Sequence, residues 1–148
     1  MIIVCMTDSS SELISQIRAS SREMIRELGF MNKTIAGTDL SASTVHAIVE
    51  VGAAGRLSAK DLCERLLLEK STVSRLVRSL VDRGELGELR SEEDARSKHL
   101  HLTSKGEKTL AAITKFAESQ VAGAIAPLGR QSRQKVLQGL ETYAGALT

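Results

Sequence analysis

Ser58 to Gly84, together with the segment Glu88 to Thr103, limits what this chain can fold into more than any other stretch. Ser58 is a good N-cap, and Asp61 follows three residues later at capping-box spacing. Leu62, Leu66 and the small Cys63 then mark one apolar face of a helix of about two turns. Leu67, Leu68 and Glu69 break that pattern. Ser71 or the residue before it can cap a second helix, whose apolar face is Val73, Leu76, Val77, Leu80 and Val81. Its other face carries Lys70, Ser71, Thr72, Ser74, Arg75 and Arg78, with no carboxylate before Asp82. A positive, hydroxyl-rich face of this kind suits phosphates and base edges. Gly84 sits where a helix commonly stops. Beyond it, Leu86 and Leu89 precede a polar run from Arg90 to Arg96, and Leu100 and Leu102 then alternate with His99 and His101. Period-two alternation marks a half-buried strand, so the segment reads as a polar-tipped hairpin. A helix pair followed directly by such a hairpin is the order of a winged helix-turn-helix.

Three runs carry a more specific resemblance. They are Glu69-Lys70-Ser71-Thr72-Val73-Ser74-Arg75-Leu76-Val77, then Asp94-Ala95-Arg96-Ser97-Lys98, then Leu100-His101-Leu102-Thr103-Ser104-Lys105-Gly106. Together they resemble the MarR family of bacterial transcriptional regulators, most sharply from about Ser58 to Gly106. The resemblance implies a mainly α fold with a small β-hairpin wing, flanked by N- and C-terminal dimerisation helices. It places the winged helix-turn-helix at about 41–103 and the dimerisation helices at about 10–29 and 104–148 of one domain. It also implies a ligand-responsive repressor, acting as a homodimer on a pseudo-palindromic operator in double-stranded DNA.

Composition agrees with that class without announcing it. The chain has 148 residues, a single proline, one tyrosine and two phenylalanines, which fits a helical protein with an aliphatic core. Formal net charge is only +2, so any affinity for nucleic acid must rest on local asymmetry. That asymmetry exists: from Lys70 to Arg83 four basic residues stand against one acidic. Cys5 and Cys63 form no disulfide framework, which favours a reducing, cytoplasmic setting. Met1 to Met6 is apolar but too short for a signal peptide or a membrane span.

Along the rest of the chain, Ser9 to Ser11 offer caps to a first helix striped by Leu13, Ile14, Ile17, Met24, Ile25 and Leu28 and stopped by Gly29. Phe30 to Asp39 reads as a loop. Ser41 opens a second helix with Val45, Ile48 and Val49, closed by Gly52 and the small run to Gly55, and Arg56 with Leu57 can pair against the wing. A long helix runs from Ser104 towards Pro127, and a last one from about Ser132 carries Val136, Leu137, Leu140, Tyr143 and Leu147. The stripes on the first and last two helices exceed what the helix-turn-helix can cover, which points to burial against a second copy.

At the level of single residues, DNA contact falls to Lys70, Ser71, Thr72, Ser74, Arg75 and Arg78 on the second helix of the pair, and to Asp94, Arg96 and Lys98 at the wing. Asp94 is expected to hold the Arg96 guanidinium by a charge-assisted bond. The wing departs from the family pattern: Ala95 replaces one arginine of a pair, and Glu88, Glu92 and Glu93 make it less basic. His99 and His101 share one side of a strand but have no third ligand nearby, so surface histidines near phosphate outweigh a metal site. The family resemblance implies an effector cleft beside the first two helices, lined by Met24, Leu28, Phe30 and His46, that takes a small aromatic compound. Cys5 lies roughly where peroxide-sensing relatives keep a reactive cysteine, but only Tyr143 is available to support a thiolate. Both cysteines therefore read as structural or incidental. No phosphate loop, nucleophile elbow or metal motif appears, so neither an enzyme nor a cofactor is expected. Two other readings remain. One is a winged-helix protein-interaction module, against which the basic, hydroxyl-rich face speaks. The other is kinship with MarR domains fused to an acetyltransferase, suggested by Gly37-Thr38-Asp39-Leu40-Ser41, although no such segment follows Thr148.

Overall fold

The computed structural model of the chain describes residues 6–94 and 96–148, with side chains from Ser10 onward. Cys5 and Ala95 lie outside the described residues. Two compact units are present, one ending at Ile113 and the other beginning at Thr114.

The first unit holds α1 (Met6–Glu27), α2 (Ala42–Ala54), β1 (Leu57–Ser58), α3 (Ala59–Leu66), α4 (Lys70–Asp82), β2 (Leu86–Arg90), β3 (Lys98–Leu102) and the start of α5 (Ser104–Ile125). The mainly α architecture with a small sheet is as the sequence implies. Helix α1 begins before the serine caps expected for it, and its end is set by a local device. Gly29 takes a positive φ, while its own N–H and that of Phe30 return to the carbonyls of Arg26 and Ile25. This double closure satisfies the last carbonyls of the helix. Gly84 ends α4 the same way, with Gly84 and Glu85 donating to Val81 and Leu80.

Helix α3 is opened as its spacing predicts. The Asp61 N–H donates to Ser58 Oγ, and the Ser58 hydroxyl donates to Asp61 Oδ2. These contacts hold the Asp61 carboxyl below its ordinary range, led by the Ser58 hydroxyl bond. The turn after α3 is less expected, because Leu67 occupies the left-handed region at φ 54° where glycine usually stands. Its side chain is 90% exposed, so no packing compensates the strain. Leu67→Gly should therefore raise stability by about 1 kcal/mol, read as a higher melting temperature. An unchanged or lower melting temperature would show that the backbone pays no penalty there.

The core of this unit is aliphatic. Ile48, Val51, Leu62, Val73, Leu80, Leu86 and Leu100 are its largest fully buried side chains, drawn from α2, α3, α4 and the sheet. Gly52, read above as a terminator, lies inside α2, where the Leu102 and Leu110 side chains pack against it. The three strands pair antiparallel in the order β1-β3-β2, with Leu57 opposite Leu100 and Leu86 opposite Leu102. Strand β1 is thus shifted by one residue from the expected Arg56-Leu57.

Gly106 explains the glycine in the Thr-x-x-Gly run that opens α5. It is buried, and a Cβ there would collide with the Glu85 carbonyl. Thr103 fixes the approach, its hydroxyl donating to the carbonyls of Gly84 and Glu85 while accepting from the Gly106 N–H.

The second unit is the remainder of α5 and α6 (Arg130–Ala146). Arg133 closes its turn by donating to the carbonyls of Ile125, Ala126 and Leu128. Helix α6 has no buried residue, and Val136, Leu137, Leu140 and Tyr143 are 41–49% exposed. In the first unit, α1 presents Leu13, Ile14, Ile17, Met24 and Ile25 at 40–58% exposure. Among the described residues no helix is long and apolar enough to cross a membrane.

Candidate nucleic-acid interface

Helix α4 divides cleanly between core and solvent. Val73, Leu76, Val77 and Leu80 are buried. Lys70, Ser71, Ser74, Arg75 and Arg78 are exposed on the other side, with Thr72 half-buried. Every residue singled out on this helix therefore shares one open face apart from Thr72, which lies at its margin. Lys70, Arg75 and Arg78 have no hydrogen-bond or ion-pair partner among the described residues, so three full positive charges are free to meet an anion.

The cap is a correction to the sequence reading. Glu69, not Ser71 or Lys70, is the N-cap, and its side chain makes no capping bond. Ser71 is thereby freed for an external partner; the N–H groups of Thr72 and Val73 close onto the Glu69 carbonyl, while no side chain caps those of Lys70 and Ser71. A helix N-terminus with open N–H groups favours an anion.

The wing is β2, β3 and the tip between them. Its register pairs Glu88 with Leu100 and Arg90 with Lys98. Paired residues share a face, as do residues two apart along a strand. Glu88, Arg90 and Lys98 therefore continue the face that carries the buried leucines Leu86 and Leu100 and the half-buried Leu102. His99 and His101 occupy the opposite face, with Gly87 and Leu89. The reading of these histidines as surface groups near phosphate does not hold for His101. Its ring lies over Gly87, and its Nδ1 is buried without a partner. Among the described residues, no group of three metal-ligating side chains gathers here or elsewhere.

At the tip, Asp94 behaves differently from expectation. Its Oδ1 accepts from the backbone N–H of Arg96 at 2.9 Å, and its carbonyl accepts from Ser97 N–H at 2.9 Å. Ser91 N–H donates back to the Ser97 carbonyl, while Ser91 Oγ accepts from the N–H groups of Glu93 and Asp94. Asp94 thus shapes the backbone instead of clamping a guanidinium. Short acidic side chains commonly do this in turns. The Arg96 guanidinium is exposed and makes no ion pair among the described residues. Lys98 is engaged, with its Nζ 2.9 Å from Glu88 Oε2.

A second charged group braces the base of α4. Arg83 Nη2 donates to both carboxylate oxygens of Asp39 at 2.8 Å, and Lys105 Nζ donates to the Arg83 carbonyl. Glu85 is buried beside them, its Oε1 3.8 Å from Lys105 Nζ. The hydrogen bond to Arg83 lowers the Asp39 pKa from 3.8, and the same bond raises that of Arg83. A depressed folded-state value means that the pair adds stability above the unfolded value and loses it as pH falls through the folded one. Asp39→Asn should accordingly melt below wild type at neutral pH, with the two curves converging in acid well under 3.8. A gap that persists unchanged in acid would contradict this pairing. Neither sequence motif nor composition pointed to this brace.

The proposed effector residues are partly brought together. Phe30 stacks on His46 with ring centroids 5.8 Å apart and planes 17° apart. Met24 and Phe30 are each 40% exposed, and Leu28 is half-buried. Two surface depressions lie elsewhere. One of about 640 Å³ is lined by Ala54, Arg56, Leu57, Asp61, Glu64 and Arg65. The other, about 470 Å³, runs between α3 and α4 past Cys63, Lys60 and Lys70. Cys63 is half-buried in that second groove instead of closed in the core.

Comparison with known proteins agrees with this geometry. Residues 38–97 match the sequence model of the MarR family. Among solved structures, FabT of Streptococcus pneumoniae in complex with DNA superposes with a TM-score of 0.73 at 24% identity, covering 93% of this chain and 99% of that one. A probable transcriptional regulator from Pseudomonas aeruginosa gives 0.68 at 25% identity, over 89% and 98% of the two chains. BpsR of Bordetella bronchiseptica, whose DNA binding is regulated by 6-hydroxynicotinic acid, gives 0.66 at 19% identity, over 90% and 98%. No curated protein matches the sequence.

Proposed function

We propose that the chain, whose residues 38–97 match the MarR family and whose fold is that of the solved regulators above, is a DNA-binding transcriptional regulator, a ligand-responsive repressor acting as a homodimer on a pseudo-palindromic operator. The observation that carries DNA recognition is the open face of α4. Its unpaired Lys70, Arg75 and Arg78 surround the hydroxyls of Ser71, Thr72 and Ser74, and nothing acidic interrupts them before Asp82. Hydroxyls near the helix start reach into the major groove, while the arginines serve phosphates or base edges. Arg96 at the wing tip and Lys98 behind it contact the flanking backbone or minor groove, and Asp94 presents Arg96 by fixing the turn.

A second copy covers the apolar faces of α1 and α6, which the single chain leaves open. Two-fold pairing puts two copies of α4 against half-sites one helical turn apart, about 34–36 Å. The chain then works in the cytoplasm as a solution dimer, in the domain arrangement expected from the sequence, with residues 41–103 reading DNA.

Effector control rests on Phe30 and His46, flanked by Met24 and Leu28. A planar aromatic acid can insert at this stacked pair, in keeping with the regulation of BpsR by 6-hydroxynicotinic acid. Such a ligand shifts DNA affinity only by its difference in affinity for the two arrangements of the dimer. A tenfold release needs about 1.4 kcal/mol of coupling.

The test is selection of random duplexes by the purified protein at moderate salt, followed by sequencing. The expected product is an inverted repeat with half-sites about 10 bp apart. A selected pool no different from the input would remove sequence-specific recognition from the account.

A further inference from the structure

We propose that Glu88 sets the DNA affinity of the wing by occupying Lys98 in the free protein, so that this ammonium reaches a phosphate only after the pair breaks. The inference rests on the DNA-binding reading above and adds a residue to it that acts against binding.

The geometry is specific to the register of the hairpin. Glu88 and Lys98 are ten residues apart, yet the pairing of Glu88 with Leu100 and of Arg90 with Lys98 puts them diagonally on one sheet face. The Lys98 Nζ to Glu88 Oε2 distance is 2.9 Å. Side-chain exposure is 61% for Lys98 and 36% for Glu88, so the pair stands open where a duplex would meet the wing. Arg90, directly opposite Lys98, and Arg96 at the tip have no ion-pair partner among the described residues. The wing thus holds two free cations and one that already has an anion. A carboxylate and a phosphate offer an ammonium the same kind of oxygen acceptor, and only one of them can take its full charge.

The strength of the pair decides the kind of effect. Exposed ion pairs are weak and easily exchanged, so Glu88 lowers affinity by a few-fold instead of blocking the wing. Each lysine that does neutralise a phosphate adds about 0.9 to the slope of log affinity against log salt. Masking Lys98 therefore flattens that slope as well as weakening binding.

Four proteins test this: wild type, Glu88→Gln, Lys98→Gln and the double variant, titrated with a labelled selected duplex at several salt concentrations. Glu88→Gln should bind about three- to fivefold more tightly at low salt, with a steeper slope whose increase does not exceed about 0.9, the share of one lysine. With Lys98→Gln already present, the same change should alter neither slope nor affinity appreciably. Thermal melting of each protein accompanies the titration, and Glu88→Thr, a good strand former, replaces Glu88→Gln if the amide weakens the fold. An equal gain with and without Lys98 would mean plain repulsion between Glu88 and DNA and would overturn the proposal. So would no gain in a folded Glu88 variant. Either result, with wild type still binding its duplex, leaves the regulator reading intact. Wild type that binds no duplex defeats that reading instead.

Discussion

Leu140→Asp is expected to convert a stable homodimer into monomers. The side chain is 45% exposed on α6, a helix with no buried residue of its own in the single chain. A carboxylate there costs the isolated chain little, because it stays in water. Closed inside an interface without a partner it costs several kcal/mol. Since a tenfold change in association takes about 1.4 kcal/mol, association should weaken by two or more decades in constant. Sedimentation at micromolar concentration should show the halved mass, with helical content by circular dichroism largely kept. A variant that sediments as a dimer indistinguishable from wild type would exclude α6 from the interface.

Arg75→Ala combined with Arg96→Ala should produce the second large effect. The two residues stand on separate elements, the exposed face of α4 and the wing tip, so their contributions add to a first approximation. Losses of about 1–3 kcal/mol each give about 2–6 kcal/mol together in operator binding, with the fold intact because neither side chain is buried. A band-shift titration measures this. Unchanged affinity in a folded double variant would remove both residues from the interface.

Much of this was legible in the sequence where the cause is local. Gly29 and Gly84 end helices through bonds that span six residues, so a glycine after an apolar stripe suffices to place them. Ser58 with Asp61 opens α3 by side-chain chemistry contained in one turn. The two faces of α4 follow from a period of 3.6 and nothing else.

What stayed hidden depends on partners distant in sequence or on backbone doing unusual work. Leu67 fills a left-handed position that normally advertises itself as glycine, so only the broken apolar pattern from Leu67 to Glu69 marked the helix-turn-helix turn. Glu69 caps α4 without a side-chain bond, leaving Ser71 as the more obvious but mistaken choice. Period two placed His99 and His101 on one face correctly. Only the register with Gly87 and Leu89 shows that this is not the face of Arg90 and Lys98. Asp94 and Arg96 are two apart, a spacing equally suited to a salt bridge or to a carboxylate capping its own turn. The structure takes the second. The Asp39–Arg83 brace joins residues 44 positions apart, beyond reach of any local pattern.

The central claim is that two copies of α4, held by one dimer, read two adjacent turns of DNA. Hydroxyl-radical footprinting of the wild-type protein on its selected duplex tests it most directly. The account predicts two protected patches on the same side of the helix, about 10 bp apart and symmetric about the dyad, both lost with Leu140→Asp. A single protected patch, or two that survive in a monomeric Leu140→Asp protein, would contradict it.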